Sequence, residues 1–389
     1  MKYTLLLLLF TPLLFAQNAD IVGVSRTAAN GGQVFLASVN PLTGVVTDIA
    51  SNSYSNVIAN FSYTVNPAQD IFYYTTQNSI VGIDITNGSL LSNPLINSSS
   101  QLNFQSFIYN EITQEIIGLE RGANNGGEVY LAKIDPITGI VTTISQTSVT
   151  STITFNGGQA LDIANQWFHF VSNGRIYTID VATGNVVYNP LIDNSSVAYF
   201  DNIIYNEFDG HIYGLGRNSN PPEIFLGRIN PTNGAVTLIS QASIGQSITL
   251  AGTTIDPFNN IYYYKSGDNF VGVDITSGNV ATSVPLDYTQ SSGGIFDYYY
   301  YANEKKSLLS DNSFEGRVPF KFYPNPTSDY ISIEGTGYKK LEILNLSGQV
   351  VYEAEFTNTS FDISKLPSGI YLLKAYNKNS TEVKKLIKR

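Results

Sequence analysis

Two sets of residues recur along this chain in types and at spacings that could do chemistry. Gln105, Asp201 and Asp297 stand 96 residues apart, twice. Brought to one place, their oxygens are the hard donors of which Ca²⁺ takes six to eight. The two carboxylates alone would also suit general acid–base work. Arg26, Arg121 and Arg217 recur in the same way. A guanidinium offers a planar fork of donors and a face that stacks on aromatics, so this set could take carboxylates, sulfates or the faces of sugar rings. The plainer reading is that each arginine pairs with a nearby carboxylate and braces its own loop.

Other chemistries are excluded. The chain has no Cys, which removes disulfides, thiolate metal sites and a cysteine nucleophile. Two histidines in 389 residues argue against a His-rich metal centre. There is no G-x-S-x-G elbow, H-E-x-x-H pair or phosphate loop. His169 occupies a strand position filled by Tyr73 and Tyr263 elsewhere, which reads as a packed strand residue. His211 replaces Glu115 in a hairpin turn and reads as a surface residue. No residue is assigned a catalytic role, and an enzyme is the less favoured class.

The elements that must position these residues follow from a repeat. The stretches 32–50, 127–145 and 222–240 are alike and lie 95 residues apart, and 79–96, 175–192 and 269–286 interleave with them. Their turn residues Asn40, Asp84, Asp135, Asp180, Asn230 and Asp274 mark six units of four short strands. Self-similarity at 40–50 residues with strands in every unit is the signature of an all-β, six-bladed β-propeller, here spanning 20–302. In each turn the Asx side chain bonds its own backbone and a Gly such as Gly139 supplies a positive φ. That explains these acidic positions without calcium. The chain enters the repeat at a second strand, and the missing first strand is found at 293–301, so blade one is closed from both chain ends.

In this frame Gln105, Asp201 and Asp297 start the innermost strands, near one mouth of the central channel. A ring of Asn66, Glu111, Asp162, Glu207, Asp256 and Asn303 falls in the following hairpins at the opposite mouth. The arginines head extended loops at 26–33, 121–128 and 217–223, rich in Gly, Asn and Pro, as loops displayed for contact are.

The two ends are addresses. Residues 1–16 read as a secretory signal peptide: Lys2, an apolar stretch over 5–15 and a small residue at Ala16, with Ala19 a second cleavage option. Eleven apolar residues are too few to cross a bilayer core, which takes about 20, and no later stretch is longer. A linker is expected at 303–319. From 320 to 389 the chain alternates short strand patterns with turns, as in a small Ig-like antiparallel sandwich.

This last segment resembles the type A C-terminal sorting domain of the type IX secretion system of Bacteroidota, also called the Por secretion system. The resemblance rests on Tyr323-Pro324-Asn325-Pro326, the turn at Gly348, the block containing Leu366, Pro367, Gly369 and Tyr371, and a basic tail. It implies passage through the periplasm, recognition by the type IX machinery, and release or anchoring at the cell surface.

Net charge is −10, with charged residues only 13% of the chain. An acidic chain lacks the basic face that nucleic acid requires. The expectation is a secreted or cell-surface binding or adhesion module for a polysaccharide or protein partner. No cofactor is expected beyond an optional Ca²⁺. The alternative is a Ca-dependent hydrolase, lactonase or lyase with its site at the channel mouth. Propeller folds host both classes.

Overall fold

The computed structural model describes residues 21–27, 32–54, 63–76, 78–97, 103–121, 127–151, 158–248, 252–301, 321–325, 327–334, 339–345, 349–355, 360–376 and 381–389. The expected signal peptide and linker lie outside the described residues, as do Asn303, Pro326 and Gly348. The chain divides into two compact units, 1–308 and 309–389. Every regular element among the described residues is a strand.

The described residues of the first unit form six sheets. Five have four strands each, joined in sequence order by antiparallel pairing. The second sheet, for example, comprises Tyr63–Asn66, Ile71–Thr75, Ile80–Asp84 and Leu90–Ser92. The first strands of neighbouring sheets lie against one another in a closed cycle. Each neighbouring pair of sheets also shares its own buried apolar cluster, including the pair of sixth and first. A ring closed this way hides the inner edge of every sheet.

Closure is made as the repeat requires. Ile295–Tyr301 pairs antiparallel with Ile21–Arg26 and supplies the innermost strand of the first sheet. The first sheet extends a contact that recurs in the third and fifth, where Asn97 N donates to the Gly139 carbonyl at 2.8 Å and Asp193 N to that of Gly234 at 2.9 Å. Asp287–Gln290 pairs in parallel with Val45–Asp48 and adds a fifth, outermost strand to the first sheet.

The Asx turns are self-contained. Asp84 Oδ1 accepts from Thr86 N at 2.7 Å, and Gly88 N donates to the Asp84 carbonyl at 2.8 Å. The Thr86 hydroxyl and further turn donors hold the Asp84 carboxyl below its usual range, and Asp135 is lowered in the same way from Thr138 and Ile137. Neighbouring sheets are stitched at the same place. Ser145 Oγ donates to the Gly184 carbonyl at 2.9 Å, and Ser240 Oγ to that of Gly278 at 2.8 Å. A β-carbon on Gly184, which has φ +69°, would lie 2.4 Å from Ser145 Cα, so this contact demands glycine.

The described residues of the second unit form two antiparallel sheets of three and four strands around one core containing Ile331, Ile343, Phe361 and Leu373. Two of its described motif residues make hydrogen bonds within the unit. Asn325 Oδ1 accepts from Ile387 N at 2.8 Å, tying the segment after Tyr323 and Pro324 to the final strand, Thr381–Lys388. Tyr371 Oη donates to the Pro367 carbonyl at 2.9 Å, beside Leu366 in the core and Gly369 at the head of the next strand.

Candidate functional site

The two recurrent sets meet. Arg217 lies two residues beyond Leu215, the residue paired with Asp201 across the fifth sheet. Its Nε donates to Asp201 Oδ1 at 3.3 Å and to Oδ2 at 3.1 Å, and a second nitrogen also reaches Oδ2. Arg26 forms the corresponding ion pair with Asp297 in the first sheet. In the third sheet the equivalent position is Gln105, which carries no charge, and the Arg121 side chain lies against Gly127. The arginines and the channel-mouth residues, separate features in the sequence, are thus one recurrent pair in two of the three sheets.

A backbone device places the acidic partner. In the third and fifth sheets the inner strand carries a bulge just after Gln105 and Asp201, where Ser106 and Asn202 adopt φ of +49° and +53°. The closing strand shifts register near Asp297 as well. A bulge inserts one residue and re-aims the side chain beside it. The extra residue also corrects the ring expected at the opposite mouth. The structural equivalents of Asn66, Asp162 and Asp256 are Asn110 and Asn206, each the last residue of its inner strand, rather than Glu111 and Glu207. Sequence alignment alone slips by one at each bulge. Glu111 and Glu207 instead face the channel cavity, where burial raises the Glu207 carboxyl.

That cavity is bounded by the inner strands, with Tyr63, Tyr109, Gln159, Asn202, Thr253 and Tyr300 among its walls, and holds about 80 Å³. This is room for a few waters. Gln105, Asp201 and Asp297 do not line it. Among the described residues, no cluster of three or more His, Asp or Glu could hold a metal ion.

Asp201 and Asp297 are both 2% exposed, yet their surroundings differ. Burial pushes the Asp201 carboxyl up to about 6, and the Arg217 bonds and charge pull it back only in part. Asp297 has a second cation that the sequence reading missed. Lys265, from the sixth sheet, donates to its Oδ1 at 3.0 Å. Lys265 stands where the second and fourth sheets have Thr75 and Val171, so the only sequence signal was a lysine at a strand position that its sister units fill with small uncharged residues.

The arm expected as an extended loop at 217–223 is instead mostly strand. His211–Ser219 and Pro222–Ile229 pair up to Ser219 and Pro222, leaving a tight turn. This hairpin fixes the Arg217 guanidinium over the Tyr199 ring, 5.3 Å from its centroid. Tyr199 is 54% exposed. The result is an aromatic–cation platform at the rim of the fifth sheet.

His169 and His211 both line a second cavity, between the fourth and fifth sheets, of about 420 Å³. The sequence treated them as unrelated, because they belong to different repeat units.

No curated protein matches the chain by sequence. Among solved structures, TolB from Acinetobacter baumannii is similar with a TM-score of 0.50 at 16% identity, over 73% of this chain and 66% of TolB. The chain therefore spans just under two thirds of that relative. The periplasmic gluconolactonase of Pseudomonas aeruginosa aligns over 94% of this chain and 98% of its own, with a TM-score of 0.43 and 11% identity. PorZ, a surface component of the type IX secretion system of Porphyromonas gingivalis, aligns over 95% and 58%, with a TM-score of 0.43 and 11% identity. Residues 321–389 match the family described as the secretion system C-terminal sorting domain. The chain is thus a β-propeller protein that carries, at its C-terminus, the sorting domain of type IX secretion.

Proposed function

We propose that this exported propeller is a cell-surface or released binding module for an extracellular polysaccharide or protein partner, and that the rim of the fifth sheet is its contact face. The observation that carries this reading is the Arg217 guanidinium held by Asp201 and lying over the exposed Tyr199 ring. Such a platform takes the face of a sugar ring or a carboxylate from solvent. The sorting domain supports delivery of that face to the cell exterior.

The competing reading, a Ca-dependent hydrolase, lactonase or lyase, needs Asp201 and Asp297 as free ligands at the channel mouth. Both are occupied by cations of the protein itself. The test is thermal unfolding of the full chain with and without Ca²⁺, and against a panel of polysaccharides. A ligand that binds only the folded state raises the melting temperature by mass action. A rise with one glycan and none with Ca²⁺ supports binding. A Ca²⁺ shift abolished by Asp201→Asn together with Asp297→Asn overturns it in favour of the enzyme.

A further inference from the structure

The six sheets meet in two alternating kinds of interface, and one interface differs from its sisters. Between the second and third sheets, Tyr73 is buried in the shared cluster with Phe104, Phe107 and the edge of Tyr109. Its ring lies over Gly82 on the adjacent strand, where a β-carbon would come within 2.8 Å of Tyr73 Cε1. Burial, with Tyr109 and Asp135 nearby, pushes the Tyr73 phenol up to about 12. Between the sixth and first sheets, Tyr263 over Gly272 repeats the arrangement, with the same 2.8 Å approach. In both places a tyrosine plugs the cleft, and its glycine partner makes room for the ring.

Between the fourth and fifth sheets the pair is His169 and Thr178. The imidazole is shorter than a phenol and turns to Thr178, with Nδ1 3.0 Å from Oγ1. Here the interface holds a cavity of about 420 Å³, within the range of small-molecule sites, and a tyrosine at 169 would reach into part of it. Tyr205 and Asn230, the counterparts of Tyr109 and Asp135, form part of its wall. His169, 1% exposed, and the buried Asp162 form its deep part, while exposed His211 and Thr237 stand at its rim. His169 Nε2 is buried without a hydrogen-bond partner. A buried polar atom left unsatisfied is unfavourable, and a ligand hydroxyl that reaches it relieves this.

The wall decides what kind of ligand fits. Its formal charges, Asp162 and Arg228, cancel. The His169 imidazole is neutral, since burial drives it down to about 4. A neutral imidazole with one nitrogen on a hydroxyl presents either a donor or an acceptor at the other. A ligand hydroxyl satisfies both cases, whereas an acceptor-only anion such as acetate satisfies only one, and the largely apolar, charge-balanced wall does not favour phosphate. Ile212, Ile229, Pro231 and Ala235 supply apolar wall for the carbon face of a ring.

We propose that this cleft is a binding site for a neutral saccharide unit of hexose or N-acetylhexosamine size, one of whose hydroxyls sits on His169 Nε2. The site gives the binding reading a ligand class at a place separate from the Tyr199 platform: Tyr199 and Tyr205 lie at opposite ends of the strand Tyr199–Asn206.

The test exploits composition. The chain has only two histidines, and both line the cleft, so their ring resonances report on it without interference. The full chain is titrated with glucose, galactose, N-acetylglucosamine and N-acetylgalactosamine, and separately with sodium phosphate and sodium acetate. The expected result is a saturable shift of both imidazoles with at least one of the four sugars and with neither anion. The double variant His169→Tyr/Thr178→Gly installs the plug of the sister interfaces, so it folds, melts higher and loses the His211 shift. Silence towards all four sugars, a response to the anions instead, or a His211 shift that survives the plug overturns the proposal. These readouts do not involve Arg217 or Tyr199, so failure here leaves the rim reading intact, and failure at the rim leaves this one intact.

Discussion

Lys265 Nζ donates to Asp297 Oδ1 at 3.0 Å and to the Phe296 carbonyl at 3.1 Å, joining the sixth sheet to the strand that closes the first. Asp297 also pairs with Arg26 of the strand it closes upon. One carboxylate thus ties together the two chain ends of the ring and the neighbouring sheet. Removing one partner of a buried ion pair strands the other.

Lys265→Met is therefore expected to destabilise the propeller by about 2 kcal/mol, because Asp297 keeps Arg26 while the Phe296 carbonyl loses its donor, read by denaturant unfolding. Asp297→Asn should cost more, about 3 kcal/mol, because both cations lose the carboxylate they share. The double variant should cost less than the sum of the singles, a coupling that a double-mutant cycle detects. Strict additivity would show that the latch does not act as a unit.

Tyr199 and Arg217 separate binding from folding. Tyr199→Ala removes an exposed ring, so stability should stay within about 0.5 kcal/mol. Affinity for a bound polysaccharide should fall about tenfold, equivalent to about 1.4 kcal/mol. Arg217→Ala should lose affinity and also lower the melting temperature, because Asp201 is left buried beside no guanidinium. Isothermal titration paired with calorimetric melting distinguishes the two variants.

The cleft predicts a pH dependence whose sign is fixed. His169 has a folded pKa near 4 against an ordinary 6.5, the cause being burial opposed by Asp162. Folding favours the neutral ring. Its contribution is complete above about pH 6.5 and is lost as pH falls towards 4, to a total of about 3 kcal/mol. Asp201 is raised to about 6, so its contribution runs the other way and is lost as pH rises from about 3.8 to 6. The two partly cancel in the native chain. Stability against pH for wild type minus His169→Gln isolates the histidine, and a flat difference curve over pH 4–6.5 would contradict the assignment.

The sorting domain has its own core, so deleting residues 321–389 should leave the propeller folded while abolishing its appearance outside the cell. Fractionation with immunodetection reads the location, and the melting temperature of the retained protein reads the fold. Protein reaching the exterior without the tail would overturn the role of that domain.

Much of this architecture was legible in the chain, because repeats and turns are local statements. Asn40, Asp84, Asp135 and their equivalents announced the six units, since an Asx turn satisfies its own backbone within a few residues. The closing strand was legible as a missing first strand, and the motif from Tyr323 to Tyr371 carried the sorting signal in its order of residues. What the tertiary structure alone decided is how residues from different units meet. The bulges after Gln105 and Asp201 slip the register by one, which no repeat alignment reveals without a partner strand. Arg26 and Asp297 are 271 residues apart in the chain and become an ion pair only when the ring closes. His169 looked like a tyrosine position filled by a smaller residue. Only packing against the fifth sheet placed it in the wall of a cavity, because a cavity is a property of the atoms on both its walls.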